Sequence, residues 1–231
     1  MLYIVDTANL EDIRRCTELY PISGVTTNPT IISKENAGFP ELIKSIRSII
    51  GPDSMFHIQT TGATAQDMVR EAKLLQDYIG GNFYIKVPLS PEGLKATIAL
   101  KKQGIQVTET AIFTQQQAML AARAGADFVA PYINRLDNIV SDGVHVASEI
   151  VKMFKVHALD CKVLAASFRN VEQVHKIAMA GTHAVTVAPK ILDALIYHPM
   201  TLSAIDDFNA DWKSVYGEAS IEGMLQAEGS K

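Results

Sequence analysis

Cysteine is scarce in this 231-residue chain, which carries only Cys16 and Cys161. Two thiols so far apart make no disulfide framework and fit a reducing compartment, where cysteine packs as a small apolar side chain. No run of about 18 apolar residues occurs, so no helix is expected to span a bilayer. The N-terminus, MLYIVDTANL, lacks the basic region, apolar stretch and small-residue cleavage site of a secretory signal. A cytoplasmic protein with no membrane partner is therefore expected. Dense lysine or arginine runs are also missing, and the formal net charge is −4. That removes the electrostatic reason to expect nucleic acid, and a small-molecule partner is expected instead. The six histidines form no HExxH pair and no cluster at candidate strand ends, so no metal is expected.

What is present is alternation. Short apolar runs exchange with longer amphipathic segments along the whole chain, the pattern of parallel strands joined by helices. Eight such pairs can be counted. The strand candidates are residues 2–6, 24–28, 55–59, 83–87, 105–110, 127–132, 162–167 and 183–188. Between them, spacings such as Leu10, Ile13, Thr17, Tyr20 and Met68, Ala72, Leu75, Ile79 give each helix one apolar stripe for the sheet. Eight repeats in a chain of this length predict a single α/β domain, a closed (β/α)8 barrel. An open doubly wound sheet would carry a glycine fingerprint after its first strand, and none is there. No Pro/Gly/Ser linker divides the chain. Residues 201–217 read as one additional C-terminal helix carrying Ile205, Phe208 and Trp212, so the barrel and this helix are assigned to 1–217. Residues 218–231 read as a loosely held polar tail.

In barrels of this kind catalytic groups sit where strands end at the C-terminal mouth. Polar residues end seven of the candidate strands: Asp6, Asn28, Gln59, Lys86, Thr110, Tyr132 and Ser167. A lysine inside the apolar run FYIKVP either emerges at the strand end with its ammonium in water or is buried at considerable cost. If it is buried, apolar walls, and Arg135 if near, would lower its pKa from about 10.4 toward roughly 7 to 8. The neutral amine could then attack a ketone to give an iminium, an electron sink for breaking the adjacent carbon–carbon bond. His57 reads as a hydrogen-bonded core residue. Asn170 can cap the helix that follows SFRN, with Gln173 three residues on, so Ser167 and that helix start can meet a phosphate beside Arg135. The competing reading of Arg135 is a salt bridge to Asp137. Glu109 has the opposite strand parity to Thr110 and should face away from the mouth.

The segments VDTANL (5–10), GVTTNPTII (24–32), IKVP (85–88), APYINR (130–135) and AASFR (165–169) stand in the order found in the short-chain transaldolase and fructose 6-phosphate aldolase family. The chain resembles that family over nearly its full length. The resemblance implies a barrel without cofactor, with Lys86 as Schiff-base lysine. It implies that Asp6 and Asn28 bind the hydroxyls flanking the cleaved bond, with Asp6 assisting proton transfer and Thr27 adding to the substrate site. Thr110 and Gln59 would hold a proton-relaying water, and Arg135 with Ser167 the phosphate. Thr108 and Glu109 depart from the family, which usually has smaller or uncharged side chains before the threonine. Transaldolases of the family resemble one another in having Glu at position 59 and Phe at 132, whereas the aldolases have Gln and Tyr. On Gln59 and Tyr132 the chain looks like an aldolase cleaving fructose 6-phosphate to dihydroxyacetone and glyceraldehyde 3-phosphate. Transfer of dihydroxyacetone to an aldose phosphate is the alternative, and a non-catalytic sugar-phosphate-binding barrel is a third reading. The resembled family also forms decamers from two pentameric rings, so a homo-oligomer is expected, with the extra helix crossing to a neighbour.

Overall fold

The computed structural model describes residues 1–229 of the chain. It divides into two compact units, Met1–Leu192 and Asp193–Lys231. In the first, eight parallel strands close into a barrel in sequence order. They are β1 (Leu2–Asp6), β2 (Ile22–Thr26), β3 (Met55–Gln59), β4 (Phe83–Pro88), β5 (Val107–Ile112), β6 (Phe128–Pro131), β7 (Lys162–Ala165) and β8 (Ala184–Val187), with β8 returning to β1. Each overlaps a strand candidate, and the largest shifts are at β2, which starts and ends two residues early, and at β5, which starts two residues late and runs on to Ile112.

Strand alternation sends one set of side chains outward under the helices and the other into the barrel. The outward set is β-branched or large. Ile112, Val129 and Val163 pack with Ala118, Val146, Ile150 and Phe154 of the helices Gln115–Arg123 and Gly143–Val156. Each fully buried side chain of this size contributes about 1.5 to 3 kcal/mol. Inside the barrel, Ile4, Met55, Phe128, Leu164 and Ala184 fill the lower part with Tyr84, so the barrel is a packed core and not a pore.

Side-chain caps start the helices on the mouth side and hold the βα loops that surround the site. Asn9 accepts from Asp12 N at 3.0 Å, and Asn170 accepts from Gln173 N at 2.9 Å. Thr114 and Gln117 form a reciprocal capping box. Gly24 is required by close approach, because a Cβ there would lie 2.1 Å from the Met55 carbonyl oxygen on β3.

The second unit contains the helix Pro199–Tyr216, in place of the expected 201–217, and a further helix, Ile221–Glu228, where a loose tail was expected. The polar composition hid its start signal: Ser220 accepts from Gly223 N at 3.0 Å, and Ile221, Met224 and Leu225 follow at helical spacing. The last two residues of the expected tail lie outside the described residues. Ile205 and Phe208 are exposed in the single chain. Trp212 instead turns within its own unit, donating from Nε1 to Ala219 O at 2.9 Å and leaning on Tyr216. Among the described residues no helix is long and apolar enough to cross a membrane, and no cluster of three or more His, Cys, Asp or Glu is arranged to hold a metal.

Candidate active site

Lys86 is the fourth residue of β4, and its inward parity sends it into the barrel instead of out to solvent. Only 5 % of it is accessible. In register it lies opposite Gln59 on β3 and Thr108 on β5. Its Nζ donates to the Thr27 carbonyl at 2.8 Å. Burial lowers the amine pKa below the ordinary lysine range, and the nearby Asp6 charge opposes that shift. Arg135, expected as a second cause if near, is not among the groups that shift it; the lowering comes from desolvation.

Asp6 ends β1. Burial raises its carboxyl above the usual range, while Lys86 and a hydrogen bond from Thr26 pull it down. Thr26 Oγ1 donates to Asp6 Oδ1 at 2.7 Å and also meets Thr186 Oγ1 of β8. Neither threonine was singled out from the sequence, although Thr26 sits opposite Asp6 in register and shares its inward face. Thr27 takes part through its backbone: its carbonyl receives the Lys86 amine, and its hydroxyl donates to the His57 carbonyl at 3.2 Å. Asn28 lies two residues beyond β2, not on it. Its Oδ1 accepts from Ile31 N at 3.0 Å and starts the short helix Pro29–Ile32, so capping occupies its oxygen.

Across the mouth, Thr110 Oγ1 and Tyr132 OH are 3.1 Å apart. The β5–β6 register shifts between Glu109 and Ile112, where Ala111 takes φ +59°, and this bulge lets Tyr132 stand beside Thr110. The Tyr132 ring lies edge-on to Phe113 and under the Arg135 guanidinium, 4.8 Å from its centroid. The salt bridge between Arg135 and Asp137 does not form. Asp137 accepts instead from Gly143 N at 2.9 Å and Gln173 Nε2 at 2.6 Å. Ser167 has φ +64°, and its carbonyl accepts from Asn134 N at 2.8 Å, which sets it beside the helix Ile133–Asp137 that carries Arg135.

Two polar residues resolve as their parity implies. His57 is fully buried inside the barrel, stacked on Tyr84 at 4.5 Å with Nδ1 2.9 Å from Thr108 Oγ1. Burial first, and the Lys86 charge second, push its pKa down to about 3, so the imidazole is neutral. Glu109 faces the helix layer, where Thr97 Oγ1 donates to it at 2.6 Å, and burial pushes its carboxyl up to about 7. It therefore supplies no charge to Lys86 from inside the barrel.

A cavity of about 440 Å³ opens beside these strand ends, lined by Asn28, Gln59, Thr61 and Glu71 on its polar side and by Phe39 and Leu75 among its apolar walls. Glu71 is another residue passed over in the sequence, where it reads as an ordinary helix-surface acid.

The family described as transaldolase/fructose-6-phosphate aldolase matches residues 3–227. A probable transaldolase of Geobacillus kaustophilus is 42% identical over 212 residues, covering 92% of this chain and 98% of the relative. A probable fructose-6-phosphate aldolase of Streptococcus pneumoniae is 38% identical over 222 residues, covering 96% and 100%. Among solved structures, a mandelate oxidase superposes with a TM-score of 0.56 at 14% identity over 94% of this chain and 74% of that one, a likeness of fold alone. By the match across nearly all its length and by these relatives, the chain belongs to the transaldolase/fructose-6-phosphate aldolase family.

Proposed function

We propose that the protein is a cytoplasmic class I aldolase that reversibly cleaves fructose 6-phosphate to dihydroxyacetone and glyceraldehyde 3-phosphate. The observation that carries this reading is a buried, desolvated lysine at the mouth of the barrel with a hydroxyl pair, Thr110 and Tyr132, at the same mouth. The neutral Lys86 amine adds to the C2 ketone and water leaves, giving an iminium. Asp6, whose raised pKa makes it a stronger base than an exposed carboxylate, takes the proton of the C4 hydroxyl. The C3–C4 bond then breaks, its electron pair moves into the iminium to form an enamine, and glyceraldehyde 3-phosphate departs. Protonation at C3 and attack of water on the regenerated iminium release dihydroxyacetone and the free amine. Asn28, through its amide NH2, and Thr27 bind substrate hydroxyls, Arg135 and Ser167 take the phosphate, and Gln59 with Thr110 places the water. No cofactor and no metal enter these steps.

Free aldolase activity needs the enamine to be protonated quickly, and the Tyr132 hydroxyl on Thr110 supplies a donor there. The relatives carry both names, so transfer of dihydroxyacetone to an aldose phosphate is the second reading. Product analysis separates the two. Fructose 6-phosphate alone should release dihydroxyacetone, and Tyr132→Phe should slow that release about 10- to 100-fold, or about 1.4 to 2.8 kcal/mol of barrier. Efficient sedoheptulose 7-phosphate formation from erythrose 4-phosphate, with no dihydroxyacetone released when the acceptor is absent, would replace the aldolase reading by the transaldolase one.

A further inference from the structure

The loop that follows β3 is tied to one carboxylate. Glu71, on the helix Ala65–Ile79, accepts at Oε2 from Thr60 Oγ1, from Thr61 N at 2.8 Å and from Gly62 N at 3.1 Å, while Oε1 accepts from Thr61 Oγ1 at 3.3 Å. Three consecutive residues thus converge on one side chain, and they begin at the residue after Gln59. The near side of the loop is fixed as well, because Thr60 N donates to the Lys86 carbonyl at 3.0 Å. Thr60 is buried, and Gln59 and Glu71 both line the cavity at the strand ends. Burial alone would raise the Glu71 pKa, but the hydrogen bonds from Thr60, Thr61 and Gly62 outweigh it and hold the group ionised. A surface acid with only a solubilising role would show none of this convergence.

We infer that Glu71 is a positioning residue for the reaction: it clamps Thr60–Gly62 to the helix Ala65–Ile79 and so fixes the end of β3, from which Gln59 presents its amide to the water that completes turnover. This rests on the aldolase reading, and it assigns the demand for a fixed Gln59 to the steps after carbon–carbon cleavage, when the enamine is protonated and the iminium hydrolysed. A side chain misplaced by about 1 Å costs on the order of 100-fold in such positioned chemistry. The hydrogen bonds of Glu71 go to Thr60, Thr61 and Gly62 and not to Lys86, so its loss should separate turnover from the chemistry that precedes it.

The test uses the full-length protein and fructose 6-phosphate, comparing wild type with Glu71→Gln, which keeps the size but sets an amide against the loop's donors. Two quantities are measured: the single-turnover burst of glyceraldehyde 3-phosphate, and the steady-state release of dihydroxyacetone. The inference predicts a burst amplitude and kcat/KM close to wild type, with dihydroxyacetone release about 10-fold slower and KM lowered in step. Thr60→Val, nearly isosteric and lacking one of the four donors, should slow release in the same direction by a smaller factor. Because both changes break one latch, the double variant should be no slower than the product of the two single effects and close to Glu71→Gln alone. Release within twofold of wild type in Glu71→Gln would overturn the inference, as would loss of the burst in step with turnover. If Glu71→Gln does not fold, Thr60→Val decides by the same two readouts. A wild-type protein that releases no dihydroxyacetone from fructose 6-phosphate alone would sink the aldolase reading itself, a result distinct from a normal wild type with an indifferent Glu71.

Discussion

Two buried ionisable groups on opposite faces of the sheet show how side-chain direction decides what a charge can do. Lys86 points into the barrel, and its desolvation lowers the amine pKa, which favours the neutral, nucleophilic form. Glu109 points into the helix layer, where Oε1 meets Thr97 and Oε2 has no partner. The folded protein therefore holds a proton on Glu109, up to a pKa of about 7, that the unfolded chain gives up near its ordinary value of 4.5. Stability contributed by this group is present below pH 4.5 and lost as pH rises to about 7, a change on the order of 3 kcal/mol. Glu109→Gln should abolish that part of the slope. Melting temperature followed from pH 4.5 to 8 should fall less steeply in the variant, and parallel slopes would contradict the assignment. The orientation of Glu109 was legible from strand parity, since Thr110 and Glu109 are neighbours and must face opposite ways, whereas for Lys86 the sequence fits emergence and burial alike. Glu71 was not legible, because its meaning depends on a loop that folds back 10 residues across the sequence to meet it. The same holds for Asp137, whose neighbour in sequence, Arg135, is not its partner in space.

Elements were read more easily than their ends. Short apolar runs and period-3.6 stripes marked the eight β/α units, because each strand is covered on its outer face by a helix and on its inner face by the barrel core, and each helix turns one apolar stripe to the sheet. Boundaries depended on local hydrogen bonding, which the apolar pattern does not carry. β2 stops at Thr26, and Asn28 turns the chain as a cap. β5 runs on to Ile112 through a bulge at Ala111, whose φ of +59° has no compositional signal. The close approach of β2 and β3 gives a direct check at this scale. Gly24→Ala places a methyl group 2.1 Å from the Met55 carbonyl oxygen, so the strands must separate. The expected cost is about 2 kcal/mol, read as a fall of roughly 4 to 8 °C in melting temperature. An unchanged melting temperature would mean that β2 and β3 can slide apart freely, against the register described above.

For the molecule as a whole, the barrel followed from counting repeats, but the behaviour of the C-terminal unit did not. Its helix Pro199–Tyr216 has no buried residue in the single chain, and Phe208, Val215, Ile221 and Leu225 are each more than 60 % exposed. Apolar surface of this kind on a well-formed helix is expected to be covered by another copy of the chain. Light scattering should return a multiple of the 25.2 kDa chain mass, and truncation after residue 200 should reduce it. A monomer for the intact chain would rule out the assembly. The chemistry of the barrel turns on Lys86, and reduction with borohydride during exposure to dihydroxyacetone or fructose 6-phosphate tests that role most directly. The protein should lose activity as one adduct accumulates, peptide mass analysis should place that adduct on Lys86, and added chelator should leave activity unchanged. An adduct on another lysine, or inactivation with no adduct at all, would contradict the Schiff-base mechanism.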